Sequence, residues 1–504
     1  MRVGAAASCR CGVAGASRRA RQAARRRAPA RVSGAPSTAV TASSTAKTTE
    51  YDAAELAEWL ASYARQNSAV VPGAPSDGSA TLLASRAIRK GEAVLSLDAE
   101  ALLTRDSAES SQRIGAALRA TPDTKDWVCL ACLLIDERSR GEQSELAPWL
   151  AALPPPGALA LPMFWSDDEL AKLEGTQLLE RARGYKEYVE FEHGELAETL
   201  FAEHPQVFPA NVFTAEALAW AFGTLRERCH PPLNGGGEQL AMAPGADLAR
   251  FDEASQARWA LRGTGPLGLG GSRALELVAD RDYAEGEEVC MAFGAEGATC
   301  TDLALDHGVY GGSAAEGYTL SLEVPEDDPN YDDKADVAEL NGLGEQESFV
   351  CRAGGEMGLD PDFLPYMRMV NIAGTDAFHL ESLFREEAWE HFKVPLSEES
   401  EAAVCEAMLQ GCDAALEVTE ASRAEDRAVC REGAAGGYGP RRVLAAQLRE
   451  GERRVLEGLR EAFSTRKEEL PIMEYYASWR LKSLQLIDED GNTTYSNYDG
   501  SGLW

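Results

Sequence analysis

Residues 80–97 read ATLLASRAIRKGEAVLSL, and residues 274–293 read ALELVADRDYAEGEEVCMAF. In the first segment two short apolar runs, 80–88 and 93–97, flank the turn Lys90-Gly91-Glu92. In the second, 274–279 and 288–293 are joined through Glu285-Gly286-Glu287. Short runs rich in Leu, Ile and Val on either side of a glycine turn are a strand signal, because such side chains suit a pleated surface and Gly reaches backbone angles that other residues avoid. The intervening stretch is mostly helical in pattern, over about 105–270. Its clearest helix start is the capping box Ser166-x-x-Glu169 ahead of Leu170 and Leu173. The spacing therefore predicts one β domain split by a helical insertion.

Working outward, residues 52–66 place Leu56, Trp59, Leu60 and Tyr63 on one helical face, and the Pro/Gly/Ser stretch VPGAPSDGS separates them from the first strand pair. Beyond about 316 the strand signals fade. Helical patterns are expected at 361–373, 376–391 and 398–418, then in a long amphipathic helix over about 441–470 that Pro471 stops. One more helix, 472–487, precedes a polar, Gly-rich tail over 488–504 that reads as disordered. No fixed repeat period runs through these helices. The fold class expected is α+β, a split β domain over 50–315 followed by an all-α domain over 316–487.

Composition narrows the function classes. The 504 residues carry 82 acidic side chains against 49 Lys and Arg, a net charge of -33. Backbone-driven nucleic-acid binding draws its affinity from Lys and Arg releasing counterions, so no nucleic-acid partner is expected. No apolar run is long enough to span a membrane, so no membrane partner is expected either. Residues 1–49 contain no Asp or Glu but ten Lys and Arg, with abundant Ala and Ser; this reads as an organelle transit peptide. Cys129-x-x-Cys132 lies inside the apolar run WVCLACLLI with no second pair, and is expected to be buried packing. The six His show no ligand spacing, so no metal site is expected.

Several runs become recognisable together: WSDDELAKLEGTQLLERARGYKEYV (165–189), ALAWAFGTLRERC (217–229), DLALDHGVY (302–310), YTLSLEVPEDDPNYDDKADVAE (318–339), and GERRVLEGLREAF with EYYASWRLKSL (451–484). In order and spacing they resemble the plastid SET-domain protein-lysine methyltransferases of the Rubisco large-subunit methyltransferase type. The likeness spans about 80 to 487. It implies a split SET β-fold with a helical insertion, followed by a helical substrate-binding domain. It implies S-adenosylmethionine as cofactor, a stromal protein as substrate or docking partner, a chloroplast-stroma location and a monomer.

The chemistry asks for a neutral lysine amine to meet a sulfonium methyl in line, so orientation and a pocket favouring the deprotonated amine supply most of the acceleration. Carried over by resemblance, the family's glycine turn beside the cofactor falls on Gly78, Ser79, Ala80 and Thr81, where side chains replace glycines. The helix Trp220-Ala221-Phe222-Gly223 is retained, and the cofactor-side Arg is Arg228. The ADLINHS motif appears as Ala246-Asp247-Leu248-Ala249-Arg250-Phe251, so Asp247 is kept while Asn-His becomes Arg250-Phe251. The catalytic Tyr position is Phe293, and the second Tyr is His307.

Phe293 keeps a ring but lacks the hydroxyl aimed at the reacting centre; loss of a positioned polar group there typically costs on the order of 10²–10³ in rate. Arg250 brings a cation toward a cationic ligand, or swings outward to an acid such as Asp252 or Glu253. His307 either packs at a helix end or partly replaces the missing oxygen as a base or donor. These changes predict a stromal docking module with weak or no methyl transfer. The alternative is an active S-adenosylmethionine-dependent protein-lysine methyltransferase acting on a stromal protein such as Rubisco large subunit or fructose-bisphosphate aldolase.

Overall fold

The computed structural model describes residues 51–64, 68–73, 80–229, 240–263, 273–353, 358–381, 383–488 and 490–491. The leader 1–49, Gly78 and Ser79 of the glycine turn, and most of the tail lie outside them.

Helix α1 (Ala53–Tyr63) starts where Asp52 Oδ1 accepts the backbone N–H groups of Ala54 and Glu55, and it buries Leu56 and Leu60. Strands β1 (Val70–Gly73) and β2 (Thr81–Ala84) form an antiparallel pair. Strand β3 (Ala93–Asp98) then pairs with a partner more than 170 residues away. That partner is β6 (Arg273–Val278), which also pairs with β5 (Trp259–Gly263), so the sheet order is β3-β6-β5. A short parallel pair joins β4 (Arg250–Phe251) to β7 (Cys290–Met291). Bridges Leu83 to Glu288 and Ile88 to Tyr283 tie the two turn-containing segments together. Both turns use the expected glycine, with φ of +85° at Gly91 and +80° at Gly286. The split β domain is thus closed by pairing across the insertion.

The insertion is helical: α2 (Asp126–Ser139), α3 (Leu178–Glu198) and α4 (Ala215–Arg228) are its longest elements. Cys129 and Cys132 are fully buried on α2, and burial pushes the Cys129 thiol up to about 11. Both act as packing, as their apolar context indicated. The Ser166–Glu169 capping box is present. On α4, a Cβ at Gly223 would lie 2.6 Å from the Phe164 ring, so only glycine lets this helix pack so closely.

Helix α5 (Cys300–His307), closed by Gly308 at φ +66°, leads out of the β domain. The next segment departs from the expected all-α pattern. Strands β8 (Gly317–Glu323) and β9 (Gln346–Arg352) make a seven-pair antiparallel hairpin. Its two halves are separated by a helical stretch (Tyr331–Leu340), which hid the pairing from a local reading. Past the hairpin the domain is helical: α6 (Phe363–Asn371), α7 (Glu398–Glu420), α8 (Arg423–Glu432) and α9 (Pro440–Glu469). The helix expected over 376–391 is instead a 3₁₀ turn (Gly374–Leu380) followed by a short helix (Ala388–Phe392).

Two large apolar cores serve the two halves, and a smaller third one joins them. The third gathers Trp165, Leu173 and Leu178 of the insertion, Cys300 and Ala304 of α5, and Leu444 and Leu448 of α9. Charge is buried beside it in pairs: Asp426 accepts from Arg449 at 2.7 and 2.8 Å and from Arg453 at 3.0 Å. The C-terminal helices are therefore packed onto the insertion through a continuous seam.

Candidate functional site

The residues singled out by sequence converge on the end of α4, the turn before β4, and the β4–β7 pair. Asp247 sits on a tight turn (Ala246–Leu248) with its carboxylate fully buried. It accepts hydrogen bonds from Trp149 Nε1 at 3.0 Å, from the Gly245 backbone N–H at 2.8 Å, and from Arg228 Nη1 at 3.1 Å. Arg228 Nη1 also donates to the Asp247 carbonyl at 2.9 Å. Burial pushes the Asp247 carboxyl above its usual range while the Arg228 guanidinium pulls it back. Arg228 ends α4, so this pair locks a helix terminus to the turn that feeds β4.

β4 then divides its two residues between opposite faces, as successive strand residues must. Phe251 packs its ring 5.5 Å from that of Phe293, and Phe293 lies 4.7 Å from the His307 imidazole, both at tilts near 45°. Arg250 pairs with Glu288 at 3.6 Å, both about two-fifths exposed. Arg250 thus turns outward to an acid, one of the two alternatives read from sequence, and the acid in this pair is Glu288. Glu288 also accepts the Thr81 hydroxyl at 2.5 Å. Thr81 is fully buried at the start of β2, and Ala80 packs against the larger core. Thr81, Glu288 and Arg250 thus link the start of β2 to β4.

Three groups result. Arg228 and Asp247 form one, Phe251, Phe293 and His307 a second, and Thr81 with Arg250 a third. Sequence reading missed Trp149, Glu288 and Glu227. Glu227 lies 3.5 Å from Arg228 Nε, and burial pushes its carboxyl up. Nothing in the local sequence marks a glutamate in the last turn of a helix as buried. Trp149 was equally silent, because its partner is almost a hundred residues away. Among the described residues no group of three or more His, Cys, Asp or Glu is placed to hold a metal ion.

Comparison with known proteins bears on this geometry. Residues 325–456 match the family described as Rubisco LSMT substrate-binding. The chloroplastic ribulose-1,5 bisphosphate carboxylase/oxygenase large subunit N-methyltransferase of Nicotiana tabacum is 33% identical over 435 residues, covering 84% of each chain. The chloroplastic [fructose-bisphosphate aldolase]-lysine N-methyltransferase of Arabidopsis thaliana is 33% identical over 420 residues, 82% of this chain and 83% of its own. A solved structure of the SET domain of LSMT bound to lysine and AdoHcy superposes with a TM-score of 0.74 at 31% identity, covering 87% of this chain and 97% of that one. Rubisco LSMT bound to AdoMet gives 0.72 at 31% identity over the same shares.

A β core split by a helical insertion, carrying its site where α4 meets β4, and followed by a helical domain, is a SET-domain architecture. The chain belongs to the plastid SET-domain protein-lysine methyltransferase family of the Rubisco large-subunit methyltransferase type.

Proposed function

We propose that this chain is a docking member of the family, one that engages a chloroplast stromal protein and transfers methyl groups weakly or not at all. The observation carrying the proposal is Phe293. Its ring is packed between Phe251 and His307, and its position offers no hydroxyl to the reacting atoms. Residues 50–315 would hold the site, and the helical domain over 316–487, which contains the substrate-binding match, would dock the partner. The relatives' names point to Rubisco large subunit or fructose-bisphosphate aldolase as the partner, and to the chloroplast as the location.

S-adenosylmethionine is the cofactor this reading assigns, and the residues at the end of α4 fit its charged end. Arg228 Nε is buried and makes no hydrogen bond among the described residues, its nearest acid being Glu227 at 3.5 Å, so a ligand carboxylate that took this donor would replace that ion contact. Arg228 would hold the amino-acid end, with Asp247 fixing the guanidinium. When bound, the cofactor supplies an electrophilic methyl group. The chain's own residues would contribute orientation at Arg228 and Asp247 and an apolar wall at Phe251 and Phe293. At the other end, Thr81 stands where the family pattern has glycine and Arg250, paired with Glu288, where it has a short amide, which supports weakened cofactor binding.

A second reading, an active methyltransferase, is favoured by the retained Arg228–Asp247 pair and by the activity named for relatives matching over four-fifths of the chain. Titration calorimetry with S-adenosylmethionine, followed by mass spectrometry of a stromal lysate, separates the two. The docking reading expects weak binding and no +14 adduct, and a saturable site with a methylated protein overturns it. Combining Arg250→Asn, Phe251→His and Phe293→Tyr is expected to raise cofactor affinity.

A further inference from the structure

Among the described residues Arg138 is a cation without an anion. It lies in the last turn of α2, half-buried, and its guanidinium covers the buried indole of Trp220 on α4, with Cζ 4.2 Å from the ring centre. Stacking of this kind uses the face of the guanidinium and leaves its edge, where all the N–H donors lie, free to bind. Among the described residues no hydrogen bond or ion pair reaches that edge. Burial lowers the guanidinium below its usual range, and no neighbouring acid raises it back. A guanidinium does not shed its proton in a protein, so an anion is what would offset this partial loss of water.

There is room for one. Arg138 lines a cavity of about 330 Å³ between α1, the end of α2 and the helix Ala147–Ala152, a size at the low end for small-molecule sites. Leu150, Ala151, Leu153 and Pro155 give it an apolar wall. Three acids also line it. Glu137 is engaged, by Arg140 at 2.7 Å and by the Ser144 hydroxyl at 2.5 Å. Glu55 and Glu142 are exposed and do not pair with Arg138; their charge makes entry harder for each further negative charge on a ligand. The cavity shares no lining residue with the groups around Arg228, Phe293 and Thr81, although Trp149 of the helix Ala147–Ala152 donates to Asp247.

We propose that this cavity is a second ligand site, one that takes a small monocarboxylate with an apolar body, its carboxylate on the edge of the Arg138 guanidinium. The two groups match fork to fork through parallel N–H···O bonds. A branched chain of a few carbons covers Leu150 and Leu153, and the acids at the rim reject phosphate by its second charge. The site is independent of whether the chain transfers methyl groups.

The test is calorimetric titration of wild type with 4-methylpentanoate, with its neutral amide, with 3-methylbutylamine and with inorganic phosphate. Saturable binding is expected for the carboxylate alone. Arg138→Gln removes the fork and should weaken that complex roughly 10- to 100-fold. Glu142→Gln takes a like charge from the rim and should leave it as tight or tighter. Ala151→Phe changes an exposed residue of the cavity wall and fills the space; it should abolish binding while keeping the melting curve of wild type. The proposal is overturned if wild type does not bind the carboxylate, if the amide, the amine or phosphate binds as well or better, or if binding survives in both Arg138→Gln and Ala151→Phe.

Discussion

Replacing Glu452 by Gln should stabilise this protein at alkaline pH and leave it unchanged at acid pH. Glu452 lies on α9 at the seam between the two halves and is nearly fully buried. Its carboxylate accepts from the Gln177 backbone N–H at 3.1 Å and from the Thr301 hydroxyl at 3.3 Å, both neutral donors. The cations facing it are engaged elsewhere: Arg449 on its own helix with Asp426, and Arg181 on α3 with Asp302. Tyr318 of β8 faces it as a neutral phenol, raised first by burial and then by Glu452 itself. Burial accordingly pushes the Glu452 carboxyl from 4.5 up to about 7, with those hydrogen bonds and arginines opposing it. A carboxyl raised on folding adds stability that is complete below its unfolded value and is lost as pH rises through the folded one. The window is therefore about pH 4.5 to 7, and at 1.36 kcal/mol per unit the loss is on the order of 3 kcal/mol. Gln keeps the acceptor and never ionises. In melting curves from pH 4 to 8.5, wild type and Glu452→Gln should coincide at pH 4. At pH 8.5 the variant should lead by several degrees, given about 2–4 °C per kcal/mol for a unit of 150–250 residues. A variant less stable than wild type at pH 8.5 would show that the charged form is a stabilising partner of Arg449 and Arg181, and would refute the reasoning.

Asp247→Ala leaves Arg228 and the Trp149 N–H without their acceptor, and should cost about 3–5 kcal/mol in a urea-unfolding experiment. Arg250→Ala breaks a half-exposed pair with Glu288, so the same measurement should change by less than about 1 kcal/mol. In the C-terminal domain, His379 Nδ1 meets His391 Nδ1 at 3.0 Å, and His391 Nε2 contacts the Tyr476 hydroxyl at 3.1 Å. Burial, and then the neighbouring His391, lower His379 from 6.5 to about 4. A lowered histidine withdraws stability as pH falls from 6.5 toward 4. Acidification across that range should release the segment around Tyr476–Ser483, read as a change in Trp479 fluorescence, and His379→Phe should blunt it.

Much of the architecture was legible because it is written in local patterns. The glycine turns at Gly91 and Gly286 mark strand pairs on either side of the insertion, and the Ser166–Glu169 box and Pro471 mark helix ends. The β8–β9 hairpin was not legible, since each half shows a strand pattern only against a partner more than twenty residues away. Of the site, the positions of Phe293, His307, Arg228 and Asp247 came from family motifs. Glu227, Glu288 and Trp149 did not, because a polar residue's burial depends on what folds over it.

By its own sequence this chain determined a split β domain with a helical insertion and a helical C-terminal region. These depend on residue type and short-range spacing. Only the tertiary structure decided that Arg250 turns to Glu288, that Asp247 and Glu227 share the Arg228 charge, and that Glu452 is sealed at the seam between the halves. Coulomb and desolvation energies depend on distances and burial between residues remote in sequence, and chain order alone does not contain those distances.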